Sequence, residues 1–203
     1  MTLQSTDTAL LLIVNRGFSN NLFDLLMPFL SAQGYLLVIP FLICQLVLAA
    51  VRRDDRGRTF LAAAIWTILI ACAAVYLADW TETLLKNATA RTRPCRSVDG
   101  LRLIVSCPPS FSMPSGHAIS SFACAFPLYY LSKGYLPLLV RIYPLVLASF
   151  ISFSRIYLGV HYPSDVLAGA LLGISIALAL SRLYVEILIR IKKSGRTKQR
   201  TGS

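Results

Sequence analysis

Residues 114–132 read PSGHAISSFACAFPLYYLS, and this stretch decides the fold class. Its first residues, Pro114, Ser115 and Gly116, are typical of the start of a helix. After His117 the run contains no charged side chain and is mostly apolar. A helix with this pattern fits the hydrocarbon region of a bilayer, and similar runs recur along the chain. The sequence therefore predicts a bundle of membrane helices.

The composition of the whole chain favours the same class. Of its 203 residues, 56% are hydrophobic and 14% are charged, whereas about a quarter of residues are charged in soluble domains. The length allows one domain, residues 1–203. The net charge is +11, and the basic residues lie between the apolar runs and at the C-terminus. This distribution suits contact with lipid headgroups. We therefore expect no nucleic-acid partner.

Apolar runs predict about five transmembrane helices. They cover residues 35–51, 60–78, 117–132, 137–154 and 163–189. Residues 8–30 contain polar side chains such as Asn15, Arg16 and Asp24, which would be costly at the centre of a bilayer. We therefore predict an interfacial amphipathic helix there, with a sixth span as the alternative. The predicted fold class is an all-α, polytopic transmembrane helix bundle.

The basic residues predict the orientation of the bundle. Residues 52–58 contain four arginines, and residues 191–203 form a basic tail whose composition favours disorder. Both segments are expected on the cytoplasmic side by the positive-inside rule. The connection 79–116 then lies outside, although it also carries cations. Binding of an anionic substrate would explain those cations.

Three polar clusters fall at this outer face of the bundle. They are Lys86 with Arg93, then Ser115, Gly116 and His117, then Arg155, His161 and Asp165. Arginine and lysine side chains bind phosphate oxygens. The N–H groups at a helix start favour an anion as well. The clusters therefore predict a phosphate site.

The two histidines of the chain lie in these clusters. Asp165 follows His161 by one helical turn, so it can accept a hydrogen bond from one ring nitrogen and leave the other for nucleophilic attack. His117 then remains as a general acid. The alternatives are lipid anchoring by the cations, an ordinary helix cap at Ser115, a structural hydrogen bond between His161 and Asp165, and zinc bound by these two with His117. The surrounding Lys and Arg charges disfavour zinc.

The three clusters resemble the signature of the type 2 phosphatidic acid phosphatase superfamily. The matching residues are Lys86-x6-Arg93-Pro94, Pro114-Ser115-Gly116-His117 and Ser154-Arg155-x5-His161-x3-Asp165. The resemblance implies an enzyme with a catalytic core at about residues 59–190, no metal and no cofactor. It implies a phosphohistidine formed on His161, with Asp165 orienting that ring and His117 as the general acid. The residues that it implies for phosphate binding are Lys86, Arg93, Ser115, Gly116 and Arg155.

The resemblance also suggests a substrate class. Undecaprenyl pyrophosphate, hydrolysed at the periplasmic face of the cell inner membrane, is the leading candidate. Lipid A 1-phosphate, phosphatidylglycerophosphate and phosphatidic acid are alternatives, and a non-catalytic lipid-binding or lipid-flipping protein is the alternative of another class. Arg91, Arg96 and Arg102 are expected to contact the headgroup. The sequence does not indicate the oligomeric state.

Two cysteines, Cys95 and Cys107, flank a polar loop in the outer connection. A disulfide between them is expected if that loop faces an oxidising compartment. Cys44, Cys72 and Cys124 lie within apolar runs and are expected to be buried as small hydrophobic residues.

Overall fold

The computed structural model describes residues 3–51 and 55–201, and within these ranges the regular structure is helical. The helices are α1 (Leu3–Leu12), α2 (Asn21–Gln33), α3 (Val38–Val51), α4 (Asp55–Thr89), α5 (Pro94–Ser97), α6 (Gly116–Leu131), α7 (Leu138–Tyr157) and α8 (Pro163–Thr201). Short helical turns occupy Ile13–Gly17, Gly34–Leu37 and Ser132–Gly134. The predicted all-α fold class is confirmed.

Four helical segments of the described residues are long and apolar enough to cross a membrane. They are Asn21–Leu48, Thr59–Ser97, Leu138–Tyr157 and Pro163–Ser194. The sequence predicts five spans, and the difference lies in α6, which has 16 residues. This helix is shorter than the other four segments and is in contact with α4, α7 and α8.

The N-terminal region differs from the single interfacial helix predicted over residues 8–30. The chain breaks between α1 and α2, where the Asn20 side chain caps α2 by accepting a hydrogen bond from the Phe23 N–H. The polar residues that favoured an interface are instead bound by the outer connection. Asn15 is buried and donates to the carbonyl oxygens of Arg102 and Tyr157, at 2.9 and 2.7 Å. A hydropathy pattern cannot show such long-range partners.

Helices α6 and α8 cross at close range, and this crossing positions the site. Gly169 and Gly173 lie one turn apart on α8, facing α6. A Cβ at Gly169 would lie 2.6 Å from the Ser115 carbonyl oxygen, and one at Gly173 would overlap the Ile119 carbonyl oxygen. Small residues at this spacing let two helix backbones approach in a membrane. The N-terminal ends of α6 and α8 therefore lie side by side.

The C-terminal helix continues through Thr201, beyond the point where the composition favours a disordered tail. Of the arginine-rich segment 52–58, residues 52–54 lie outside the described residues. The cytoplasmic placement predicted from that segment and from the basic tail stays a prediction.

Candidate active site

The starts of α6 and α8 are joined directly. The Ser115 N–H donates to the main-chain carbonyl of Asp165 at 3.0 Å. The loop between α7 and α8 folds back on the end of α7, because the His161 N–H donates to the Arg155 carbonyl at 3.3 Å. The second cluster, at Ser115, and the third cluster, at Arg155, His161 and Asp165, are therefore adjacent in the structure.

His161 is held in one protonation form by its neighbours. Arg93 Nη1 lies 2.9 Å from His161 Nε2. A guanidinium can only donate, so Nε2 accepts and carries no proton. Burial lowers the pKa of His161 to about 3, and the charges of Arg93 and Arg155 act in the same direction. The imidazole is therefore neutral, with its proton on Nδ1.

The proton on His161 Nδ1 points towards the carboxylate of Asp165. Nδ1 lies 3.6 Å from Asp165 Oδ2, longer than a hydrogen bond. The same Oδ2 accepts from the Ser112 hydroxyl and from the Tyr162 N–H at 2.9 Å. Asp165 is fully buried, and these donors offset the cost of burying its charge.

Arg93 connects His161 to the loop before α6. Its Nε and Nη2 donate to Ser110, to the carbonyl oxygen at 2.7 Å and to the hydroxyl at 2.9 Å. Lys86 Nζ lies 3.5 Å from the same hydroxyl. The first sequence cluster therefore joins the other two through Ser110.

Lys86 forms an ion pair with Glu82, one turn earlier on α4, at 2.5 Å. The Glu82 carboxylate also lies directly against the α-carbon of Gly116. A side chain at Gly116 would displace that carboxylate, which is the flexible end of the Glu82 side chain. Glu82 thus sits between the lysine and the start of α6.

His117 and Arg155 meet at a residue of α2. His117 Nε2 lies 3.0 Å from the carbonyl oxygen of Ser31, and Arg155 Nη1 donates to the Ser31 hydroxyl. A carbonyl can only accept, so His117 Nε2 carries a proton in this arrangement. The two histidines therefore have opposite Nε2 states, one protonated and one not.

Three buried polar atoms of this region have no hydrogen-bond partner among the described residues. They are Ser115 Oγ, Arg155 Nε and His161 Nδ1. Buried polar groups are almost always paired, so an unpaired one needs a reason. A hydroxyl and a guanidinium N–H left free beside a nucleophile can receive the oxygens of an anion.

A cavity of about 570 Å³ opens from this region. His117 and Glu82 lie at its polar end, and the rest is mainly apolar, with Leu42, Val75 and Leu147 in its wall. It runs between α2, α3, α4, α6 and α7. An apolar chain attached to a polar group at His117 would fit such a space.

The three arginines expected at a headgroup have other partners. Arg91 contacts Asp7 and Asp165, at 2.7 and 2.5 Å, so it faces the inside of the site. Arg102 is paired with Asp24. Arg96 is exposed and donates to the Pro108 carbonyl at 2.7 Å. These bonds anchor the outer connection, and Arg91 in particular is not available to a headgroup.

Cys95 and Cys107 form a disulfide in the structure. It closes the segment between α5 and the loop that carries Ser110 and Ser112. Cys44, Cys72 and Cys124 are free, and Cys44 and Cys72 are exposed on the surfaces of their helices and not buried as predicted. In the described part of the chain, no group of three or more His, Cys, Asp and Glu side chains is arranged to hold a metal ion.

Several site residues were missed by sequence reasoning. They are Asp7, Ser31, Ser110 and Ser112. The two loop serines lie only a few residues before Pro114, and that closeness was the available signal. Asp7 and Ser31 are distant in sequence and ordinary in type, so nothing in the chain marked them.

Comparison with known proteins identifies the family. The model of the PAP2 superfamily matches residues 66–188, more than half of the chain. The chain is 32% identical over 171 residues to an undecaprenyl-diphosphatase from Sulfolobus acidocaldarius, covering 78% of this chain and 75% of the relative. The fold, the site and this match together show that the chain belongs to the PAP2 superfamily.

A second relative and a solved structure extend the comparison. Decaprenylphosphoryl-5-phosphoribose phosphatase from Mycobacterium tuberculosis is 39% identical over 108 residues, which are 53% of this chain and 56% of the relative. A transmembrane PAP2-type phosphatidylglycerolphosphate phosphatase from Bacillus subtilis has the same fold, with a TM-score of 0.66 and 25% identity, covering 91% of this chain and 87% of that structure. With its apolar helices, the chain is a multi-pass membrane protein.

Proposed function

We propose that this protein hydrolyses the phosphate or diphosphate group of a membrane lipid through a phosphohistidine intermediate. The observation that carries the proposal is the state of His161. The Arg93 guanidinium, 2.9 Å from His161 Nε2, keeps that nitrogen unprotonated. In the same region, buried donors of Ser115 and Arg155 have no partner among the described residues. A nucleophile next to free phosphate donors is the arrangement that phosphoryl transfer needs.

In the first step, His161 Nε2 attacks the phosphorus atom of the substrate. The bond from phosphorus to the leaving oxygen breaks, and that oxygen takes the Nε2 proton of His117 in its doubly protonated form, which leaves a neutral ring. Asp165 stabilises the proton that remains on His161 Nδ1. Lys86, Arg93, Ser115, Arg155 and the backbone at Gly116 bind the phosphoryl oxygens, where charge develops in the transition state.

In the second step, water attacks the phosphorus atom of phosphohistidine. His117, now a neutral ring with an unprotonated Nε2, accepts a proton from this water at Nε2. The bond between phosphorus and Nε2 breaks, its electron pair returns to His161, and inorganic phosphate leaves. No metal ion takes part in either step, and the ring nitrogen that a metal would need faces the Arg93 guanidinium.

The leading substrate is undecaprenyl diphosphate. The cavity of about 570 Å³ runs from His117 along apolar side chains. A second apolar cavity of about 370 Å³ shares Leu42, Val75 and Cys124 with it. The two together suit a long hydrocarbon chain, and the undecaprenyl-diphosphatase of S. acidocaldarius is similar over most of both chains. Lipid A 1-phosphate and phosphatidic acid remain alternatives, and the B. subtilis neighbour favours phosphatidylglycerophosphate as another.

The proposed location is the cell inner membrane, with the site facing the periplasm. Two observations support this orientation. Residues 55–58, the described part of the arginine-rich segment, begin α4 at the end opposite to Lys86, and the positive-inside rule favours the cytoplasm for such a segment. The disulfide between Cys95 and Cys107 lies on the same side as the site, and disulfides persist in oxidising compartments.

Phosphate release from defined lipids in detergent tests the proposal. The panel contains undecaprenyl diphosphate, phosphatidylglycerophosphate, phosphatidic acid and lipid A, all with EDTA. Wild type is compared with His161→Ala and with Ser149→Ala, whose hydroxyl bonds only within its own helix. We expect release that survives EDTA, is lost in His161→Ala and is unchanged in Ser149→Ala.

The same panel separates an enzyme from a lipid-binding or lipid-flipping protein. An enzyme loses turnover in His161→Ala but keeps lipid binding. Absence of release from every lipid, or release that His161→Ala does not change, would contradict the proposal. Release that EDTA abolishes would contradict the metal-independent mechanism, and the rank order of the lipids identifies the substrate.

A further inference from the structure

The N-terminal helix α1 places a carboxylate beside the start of α8. Asp7 is 4% exposed. Its Oδ1 accepts from the Ser164 N–H at 2.9 Å, and its Oδ2 accepts from the Ser164 hydroxyl. Ser164 precedes Asp165 directly. A residue of α1 therefore binds the turn that carries the carboxylate facing His161.

Arg91 joins this carboxylate to Asp165. Its Nη2 donates to Asp7 Oδ2 at 2.7 Å, and its Nη1 donates to Asp165 Oδ1 at 2.5 Å. Nη1 also donates to the Ser164 hydroxyl at 2.7 Å, and Nη2 to Gln4 Oε1 at 3.0 Å. One guanidinium thus bridges two buried carboxylates, and the planar fork fixes their relative positions.

A ring closes one face of this guanidinium. The central carbon of Arg91 lies 4.2 Å from the centroid of the Tyr162 ring. The Tyr162 N–H donates to Asp165 Oδ2 at 2.9 Å, so the same residue holds the other oxygen of the carboxylate. With the Ser112 hydroxyl also on Oδ2, both carboxylate oxygens of Asp165 accept hydrogen bonds from residues other than His161.

We propose that Asp7 and Arg91 are positioning residues for the reaction proposed above, acting on His161 through Asp165. Asp7 holds the far side of the Arg91 guanidinium. Without that charge, Arg91 pairs with Asp165 alone and draws the carboxylate away from His161, which already lies 3.6 Å from it. The His161 ring then loses its orientation for attack. The inference rests on the proposed function, because it assigns a role within that reaction.

Asp7 lies outside residues 66–188, the segment that matches the family model. The three signature clusters do not contain Asp7 either. Its proposed positioning role is therefore inferred from the contacts in this structure. Helix α1 would then be a part of the active site and not only a membrane-surface segment.

The test measures steady-state kinetics and phosphoenzyme formation on the full chain in detergent. Asp7→Asn keeps the shape and the acceptor for the Ser164 N–H but removes the charge. We expect kcat and the rate of phosphohistidine formation to fall about tenfold or more, because small displacements of reacting groups are costly. KM should stay within about twofold, because the phosphate ligands are untouched. Asp7→Glu, which keeps the charge, should recover part of the rate.

Two controls make the result decisive. Thr8→Ala removes a neighbouring hydroxyl that bonds to the Gln4 carbonyl of its own helix, and it should match wild type. His161→Ala tests the reaction itself. If His161→Ala is inactive while Asp7→Asn matches Thr8→Ala, the positioning role is wrong and the proposed function stands. If His161→Ala stays active, the proposed function fails first.

A second variant tests the same role if Asp7→Asn fails to fold. Arg91→Lys keeps one positive charge but cannot bridge two carboxylates with a planar fork. It should lower kcat about tenfold with little change in KM. The proposal is wrong if KM rises by as large a factor as kcat falls, or if kcat equals that of wild type.

Discussion

The carbonyl oxygen of Ser31 lies 3.0 Å from Nε2 of His117. The same residue accepts a hydrogen bond from Arg155 through its hydroxyl. A residue of α2 thus contacts the group proposed as general acid and one of the proposed phosphate ligands. A phosphate that binds Arg155 competes with the Ser31 hydroxyl for the same donor.

Ser31→Ala tests this competition. Removal of the hydroxyl leaves Arg155 Nη1 without that partner, so phosphate gains a donor at a lower cost. One hydrogen bond contributes about 1 kcal/mol, and we expect inorganic phosphate to inhibit the variant at about a fivefold lower concentration. Weaker inhibition than in wild type would mean that Ser31 assists phosphate binding.

Arg93→Lys tests the contact with the nucleophile. Arg93 uses all three of its guanidinium nitrogens, on Ser110, the Val160 carbonyl and His161. Lysine has one nitrogen and cannot replace this fork. We expect kcat/KM to fall at least about tenfold, or about 1.4 kcal/mol in transition-state stabilisation. Arg96→Lys, at an exposed site, is the matched control, and equal kinetics for the two variants would refute the assignment.

The helical fold and the signature clusters could be predicted because they depend on local patterns. Apolar runs mark the helices, and the two histidines stand beside Lys, Arg, Ser and Asp in a mostly apolar chain. His117 and His161 were chosen as candidate catalytic residues in this way. Which face of a helix contacts its neighbours depends on packing, such as the contact of Gly173 with α6. The spacing of residues in the sequence does not reveal such contacts.

The contributions of α1 and α2 could not be predicted for this reason. Asn15, Arg16 and Asp24 were expected at the membrane interface because polar side chains are costly at the centre of a bilayer. Their partners, Gly100, Arg102 and Tyr157, lie more than fifty positions away. Likewise, Arg91 looked like a free loop cation, and only the fold brings Asp7 next to it.

The buried, neutral state of His161 predicts a dependence of stability on pH. Burial lowers the pKa of His161 in the folded protein to about 3, whereas the ordinary value is about 6.5. Between these values the unfolded chain binds a proton that the folded chain does not, so stability falls as the pH falls below about 6.5. We expect Tm to fall more steeply with decreasing pH in wild type than in His161→Gln. Parallel curves of Tm against pH for the two proteins would show that His161 does not contribute to the pH dependence of stability.

The disulfide predicts the labelling pattern of the cysteines. A variant with Cys44→Ala, Cys72→Ala and Cys124→Ala retains only Cys95 and Cys107. We expect it to resist a maleimide reagent in intact membranes until a reductant is added. The control is the same variant with Cys95→Ala, which leaves Cys107 unpaired and should label without reduction. Labelling of the unreduced parent would contradict the disulfide.

The α6–α8 crossing predicts a strong effect of a single methyl group. A Cβ at Gly173 would overlap the Ile119 carbonyl oxygen and lie 3.0 Å from the Ala123 nitrogen. Both atoms belong to the α6 backbone, which cannot move aside as a flexible side chain would. Overpacking of this kind typically costs about 1–3 kcal/mol, so Gly173→Ala should lower Tm in detergent by several degrees.

Gly134→Ala is the matched control for this substitution, because no atom lies within 4 Å of a Cβ at that position. We expect its Tm to equal that of wild type. Since the crossing also sets the starts of α6 and α8 side by side, Gly173→Ala should lower kcat as well, through the spacing between Ser115 and Asp165. A variant with wild-type Tm and wild-type kcat would show that the two helices can separate without disturbing the site, and the close crossing would then not be what positions it.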